Sequence, residues 1–356
     1  MGVKGAQSLA AALKVNTKIR SLNLGDNWFG DYGVMAVSEV LKVNTTLTSI
    51  NLADNRVALV GVKTLCKGLQ ENNTLAELSL KGNGLDDRAA LPISEALAGS
   101  TSLTRVDLSY NHFGEEAGRL FGEMLAAHNY LLDVNLKWNS LRAKGGAQVA
   151  EALKTNTVLN KVDLGWNGLG DGGAKAISDM LATNAALTHL DMSHNRINLQ
   201  GALDLAEGIK VNAALMTLEL GFNPMGMQGF KLNPDGISAI VDALKANENL
   251  ESVGLSNVQS RGSRTRGRAS RFDPKNPDGH YVLDLNEPWD NFLAETLYER
   301  MINEVGESWI NHTLNGTALE LPKDEAWQIP KPDPGNYNPK SNVLELDYVT
   351  WKRGLE

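Results

Sequence analysis

The chain has 356 residues, 42% of them hydrophobic, and a formal charge of −8. That acidic balance disfavours generic nucleic-acid binding, and a single cysteine, Cys66, excludes an internal disulfide framework and agrees with a reducing compartment. No apolar run is long enough to cross a bilayer and no secretory pattern opens the chain, so the Asn311 and Asn315 acceptor triplets are read as chance and a cytoplasmic location is expected.

The first stretch, residues 2–18, has a helical pattern with no strand before it. Its Gly5, Leu9, Leu13 and Asn16 match Gly33, Val37, Leu41 and Asn44 of the next unit. Either this half-unit is a cap, or it belongs to a longer array. From Ile19 onward one design repeats. Units begin at Ile19, Leu47, Leu75, Leu103, Leu131, Leu159, Leu187 and Leu215, each 28 residues after the last.

Apolar residues at the first, fourth and sixth places of each unit alternate as a short strand requires. The ninth place is always asparagine: Asn27, Asn55, Asn83, Asn111, Asn139, Asn167, Asn195 and Asn223. A buried amide there can pair backbone groups of the turning chain that would otherwise go unmet. The second half changes period. Pairs such as Val149 and Leu153, or Ile177 and Leu181, stand four apart and share one helix face. A helix is wider than the roughly 4.8 Å between strands, so a stack of these units should curve with its strands inside.

This leucine and asparagine signature resembles the ribonuclease-inhibitor-like class of leucine-rich repeats over residues 1–258. The resemblance implies an α/β solenoid, a right-handed horseshoe with parallel strands on the concave side and helices on the convex side. It says little about activity, because the class includes inhibitors, immune sensors, GTPase activators and ciliary scaffolds.

Function is sought at the places the core does not use. The fifth place ends in a run of acids, Asp163, Asp191 and Glu219, whose like charges repel unless a cation arrives. The eighth place carries Tyr110, Trp138, Trp166, His194 and Phe222, an aromatic line beside the acidic one. Tyr and Trp supply large contact area with few rotors, so this line is the candidate protein-binding surface. The acidic line has an equal competing reading as a habit of the repeat class.

The glycine-rich run at residues 168–173 has no Lys-Ser/Thr ending and falls at a strand-to-helix turn, so it is not a phosphate cradle. His189 and His194 lack a third ligand. No cofactor, metal or catalytic constellation is expected, and the chain is read as a non-enzyme.

An apolar residue follows two places after each asparagine, at the eleventh place, from Phe29 to Met225. In the eighth unit Met225 also opens an insertion of seven residues, where Met225, Met227 and Phe230 add apolar content and Met227 and Phe230 join the candidate binding residues. The array then decays, with its asparagine slipping to Asn257. Residues 259–271 hold five arginines and no acid, a linker pattern. Residues 272–356 hold 16 acids against 7 bases with Trp289, Trp309, Trp327 and Trp351, a composition that expects docking in cis or on another protein. Strands are predicted at 280–285 and 343–351, with a helix between them. The whole reads as an interaction scaffold in a larger complex, in the cytoskeleton or a ciliary axoneme. The alternative is a regulator of an enzyme, of the GTPase-activating or inhibitor type. Partners are proteins rather than small molecules, membranes or nucleic acid.

Overall fold

The structure is a computed structural model that describes residues 3–228, 231–256, 258, 281–284 and 343–346. The chain divides into two compact units, 1–261 and 262–356.

In the first unit short strands and helices alternate. Helix α1 (Val3–Val15) precedes strand β1 (Ser21–Asn23). The pattern then runs α2 (Gly30–Leu41), β2 (Ser49–Asn51), α3 (Leu59–Glu71), β3 (Glu77–Ser79), α4 (Asp87–Ala98), β4 (Arg105–Asp107) and α5 (Glu115–Ala127). It continues through β5 (Asp133–Asn135), α6 (Arg142–Thr155), β6 (Lys161–Asp163), α7 (Gly170–Leu181), β7 (His189–Asp191), α8 (Leu199–Val211) and β8 (Thr217–Glu219). After a hairpin of β9 (Met227–Gln228) and β10 (Lys231–Leu232) come α9 (Asp235–Ala246) and β11 (Ser252–Gly254).

Strands β1 to β8 and β11 form one open parallel sheet in chain order. Register advances by one unit per strand: Ile50 pairs with Leu78, and Val134 with Val162. At the last step Leu218 pairs with Val253, so the insertion lengthens the unit without disturbing the sheet. This is the expected α/β solenoid: strands in one layer, helices in the other, leucines between them.

The strands are only three residues long because only the third to fifth places pair regularly. From β2 to β8 the fourth-place residue is at most 3% exposed and joins the sixth- and eleventh-place residues in one continuous core. Each such side chain contributes about 1.5–3 kcal/mol through burial. Met225 belongs to that core at the eleventh place, 0% exposed, instead of giving the insertion its apolar content. The glycine run is accounted for by the turn, since Gly168 and Gly170 have φ of +67° and +59°, where a Cβ is strained.

Two ladders of polar side chains tie the units together. Asn195 Nδ2 donates to Leu164 O (2.8 Å) and Met192 O (3.0 Å), and its Oδ1 accepts from Asn167 N and Leu169 N. Each ninth-place asparagine from Asn55 to Asn223 makes a version of this bridge to the preceding unit. The second ladder lies where each helix ends and the chain turns into the next strand. Asn44 Nδ2 donates to Leu13 O at 2.7 Å while its Oδ1 accepts from Thr46 N and Leu47 N. Asn72, Asn156, Asn184, Asn212 and Asn247 repeat it.

At one rung of the second ladder a histidine stands in for asparagine. His128 Nε2 lies 3.1 Å from Leu97 O, and Nδ1 accepts from Tyr130 N and Leu131 N. Two N–H donors on Nδ1 require the neutral tautomer with its proton on Nε2. Burial lowers the His128 pKa below its ordinary 6.5, outweighing the Leu97 carbonyl bond. A histidine with a lowered native value binds fewer protons folded than unfolded, so stability falls as pH drops below about 6.5 and through the native value. His128→Asn restores the common rung and removes this dependence. Its melting temperature should exceed that of the native chain at pH 5 by more than at pH 8; an equal difference at both would show that His128 is not the acid-sensitive rung.

In the second unit β12 (Tyr281–Asp284) pairs antiparallel with β13 (Val343–Leu346), Tyr281 opposite Leu346. Both lie inside the stretches predicted as strands. The intervening predicted helix, the four tail tryptophans, the arginine-rich segment, Asn257 and Phe230 lie outside the described residues.

Candidate protein-binding surface

The eighth place follows each strand, where the chain turns away from the sheet. The turn requires the left-handed region there: Tyr110, Trp138, Trp166, His194 and Phe222 have φ between +54° and +59°, as do Asp26 and Asp54 in earlier units, and Gly82 has +69°. Aspartate and glycine suit this backbone; large aromatic residues are strained in it by roughly 1–2 kcal/mol each. From the fourth unit to the eighth, the chain nonetheless places an aromatic ring at every turn.

The rings stack face to face along the solenoid. Centroids are 5.5 Å apart for Tyr110 and Trp138, 4.0 Å for Trp138 and Trp166, 3.8 Å for Trp166 and His194, and 4.1 Å for His194 and Phe222. Interplanar angles are all 17° or less. Lys81 Nζ sits 4.7 Å from the Tyr110 ring, over its end of the row. Stacking covers the faces of the inner rings and leaves their edges outward, so Trp138 and Trp166 remain 39% and 37% exposed. Neither indole N–H has an acceptor among the described residues, in contrast to Trp28, whose Nε1 donates to Asp26 Oδ1.

The acidic line runs alongside, and its first role is structural. Asp163 Oδ1 accepts from Gly165 N, and Asp191 Oδ1 from Ser193 N, closing the turn as Asn23, Asn51 and Asn135 do elsewhere. The cation that relieves their repulsion is Lys137, whose Nζ lies 2.8 Å from Asp191 Oδ2 and 3.5 Å from Asp163 Oδ2. Burial would lower the Lys137 pKa, but the bond to Asp191 and both carboxylate charges raise it. Burial would likewise raise Asp191; its bonds to Lys137 and Ser193 prevail and lower it. Asp163 is less well served. Burial, then the charge of Asp191, push its carboxyl up to about 6. Glu219 is raised by the same two causes. Burial and the charge of Lys137 push His194 down to about 4, so its ring is neutral in the stack near pH 7.

A carboxyl raised in the native state loses stability for the fold as pH climbs through about 6. Asp163→Asn keeps the oxygen that Gly165 needs and removes the repulsion. It should therefore raise the melting temperature at pH 8, with the gain shrinking as pH falls through about 6 toward 3.8. A lower melting temperature at pH 8 would show that the Lys137 pairing outweighs the repulsion.

Two features were not read from the sequence. The third places of the third to sixth units carry alternating charges, and Glu77 pairs with Arg105 and Asp133 with Lys161 across adjacent strands. The sign alternation at 28-residue spacing is visible in the sequence once the third place is aligned. Near the other end Trp28 is 63% exposed beneath the Arg56 guanidinium, 3.6 Å from its ring centroid, and Tyr32 is 71% exposed. Of the insertion residues, Met227 is half-buried. Cys66 is buried, and its thiol is pushed up to about 12, mainly by burial, which suits a core residue. Among the described residues no cluster of metal-ligating side chains occurs and no helix is long and apolar enough to cross a membrane.

Six segments match the leucine-rich repeat family model: 15–38, 43–66, 71–94, 99–122, 155–178 and 183–206. The unmatched interval after 122 contains His128, where the asparagine rung is replaced. No curated protein matches the chain. Among solved structures, the leucine-rich repeat protein LegL7 from Legionella pneumophila is similar at 16% identity over 70% of this chain and 86% of its own, with a TM-score of 0.43. The APL1 leucine-rich repeat domain is similar at 17% identity, covering 70% of this chain and 58% of its own, TM-score 0.42. Leiomodin-1 actin-binding site 2 is similar at 18% identity over 51% and 87%, TM-score 0.33. Six family-matched segments, in step with a parallel sheet built one strand per unit, make this chain a leucine-rich repeat protein with an α/β solenoid fold.

Proposed function

We propose that the solenoid is a non-catalytic protein-interaction scaffold that holds a partner along the edge of its aromatic row. The observation that carries this reading is the row itself: five rings held in strained left-handed backbone, exposing two indole donors that have no acceptor among the described residues. A contiguous line of exposed aromatic surface favours a partner, and repeat solenoids commonly present such surfaces to other proteins. The finer reading places the scaffold inside a larger assembly, such as a ciliary or axonemal complex. It rests on the repeat class and on the arginine-rich and tryptophan-rich stretches after residue 258.

Affinity capture with the whole chain and with a chain ending at Val258 tests the reading. The expected result is that the principal partner is kept by both. A partner kept only by the whole chain would move the interface off the row. Recovery of a small GTPase by both would favour an enzyme regulator over a cytoskeletal scaffold.

A further inference from the structure

The carboxylates beside the row carry more charge than the fold uses. The fifth-place turn needs one oxygen, and Asn23, Asn51 and Asn135 supply it without charge. Asp163 and Asp191 have only Lys137 as a side-chain cation among the described residues. Glu219, half-buried, has no hydrogen bond or ion pair there. Three acids thus face one ammonium. Lys161, on the neighbouring line, is paired with Asp133.

The row also constrains what can lie on it. Trp166 and His194 have both faces covered by neighbouring rings, so a partner meets ring edges and not the electron-rich faces that attract cations. Ring edges suit methylene stems. Asp163 Oδ1 accepts from Gly165 N, next to Trp166, and Asp191 Oδ1 from Ser193 N, next to His194, which sets the two lines side by side. A long side chain with an apolar stem and a cationic head satisfies both surfaces at once.

We propose that the segment seated on the row belongs to a partner protein and is basic, laying Lys or Arg stems along the edges of Trp166, His194 and Phe222 with their head groups on Asp191 and Glu219. This rests on the row being a docking surface; the charge of the occupant is the new element. Lys137 then competes with the partner's cation for the same carboxylates.

The test uses the full chain with ¹⁵N-labelled indoles and the probe Ac-Gly-Leu-Arg-Leu-Arg-Gly-NH₂, against the same peptide with citrulline for arginine. The arginine peptide should shift the Trp138 and Trp166 indole signals saturably, and the citrulline peptide should bind about tenfold more weakly or worse. Asp191→Asn with Glu219→Gln should cost about tenfold in affinity, since the turn oxygen is kept. Lys137→Gln should tighten binding, a direction that a damaged fold does not produce. Equal affinity for both peptides would overturn the inference while leaving the row a docking surface. So would no shift with the arginine peptide, or weaker binding in Lys137→Gln. If changing the five arginines of residues 259–271 to Gln shifts the indole signals with no peptide present, the basic occupant is this chain's own segment and the inference falls.

Discussion

Replacing Trp138 and Trp166 together by alanine should both loosen the fold and abolish partner binding. Three of the four stacks in the row involve one of these rings. At about 0.5–1.5 kcal/mol per aromatic pair, the double variant should lose about 2–4 kcal/mol of stability. The left-handed strain at both positions remains, because alanine suits φ near +55° no better. Binding should fall further than the fold, by about 2 kcal/mol or more for each anchor that meets the partner. Calorimetric titration at a temperature where the variant is fully folded separates the two effects. Earlier unfolding with unchanged affinity would make the row an internal staple between units, and the insertion around Met227 the next place to look.

The second large effect is expected at Asn167→Ala. Asn167 is 2% exposed, and its Nδ2 donates to Leu136 O at 2.8 Å and Leu164 O at 3.1 Å while Oδ1 accepts from Leu141 N. Alanine leaves these backbone groups buried and unpaired, at a cost of about 1–3 kcal/mol. The same bonds join one unit to the next, so the variant should also uncouple the array on either side of the lesion. Denaturant unfolding should show a lower midpoint and a broader transition. An unchanged curve would show that the ninth-place asparagines are dispensable.

Much of this was legible before the structure. A strict 28-residue period fixes the sheet, because each unit can bury its leucines only against its neighbours, and the register from Ser21 to Ser49 onward follows it. The aromatic line and the acidic line were visible as columns in the aligned units. Their physical state was not. Nothing in the residue types announces that Trp138 and Trp166 occupy a backbone region favoured by Asp26, Asp54 and Gly82; those three smaller residues in the same column were the available sign. Lys137 meets Asp191 across 54 residues, a pairing that depends on how far a lysine reaches over two strands. The second ladder was obscured because Ser100 and His128 interrupt its asparagines, although His128 reproduces one of the amide's two donations and its acceptor for two N–H groups. Met225 stood in two sequence readings, the eleventh-place apolar column and the start of the insertion; packing bears out the first, and the loop starts after it.

The central claim is that the partner meets the ring edges. Its most direct test is photo-crosslinking with p-benzoylphenylalanine placed singly at Tyr110, Trp138, Trp166 and Phe222, and at Tyr32 in helix α2 as the comparison. Partner adducts should form from the row positions and not from Tyr32. Adducts from Tyr32 with none from the row would contradict the account and place the interface near Trp28 and Arg56.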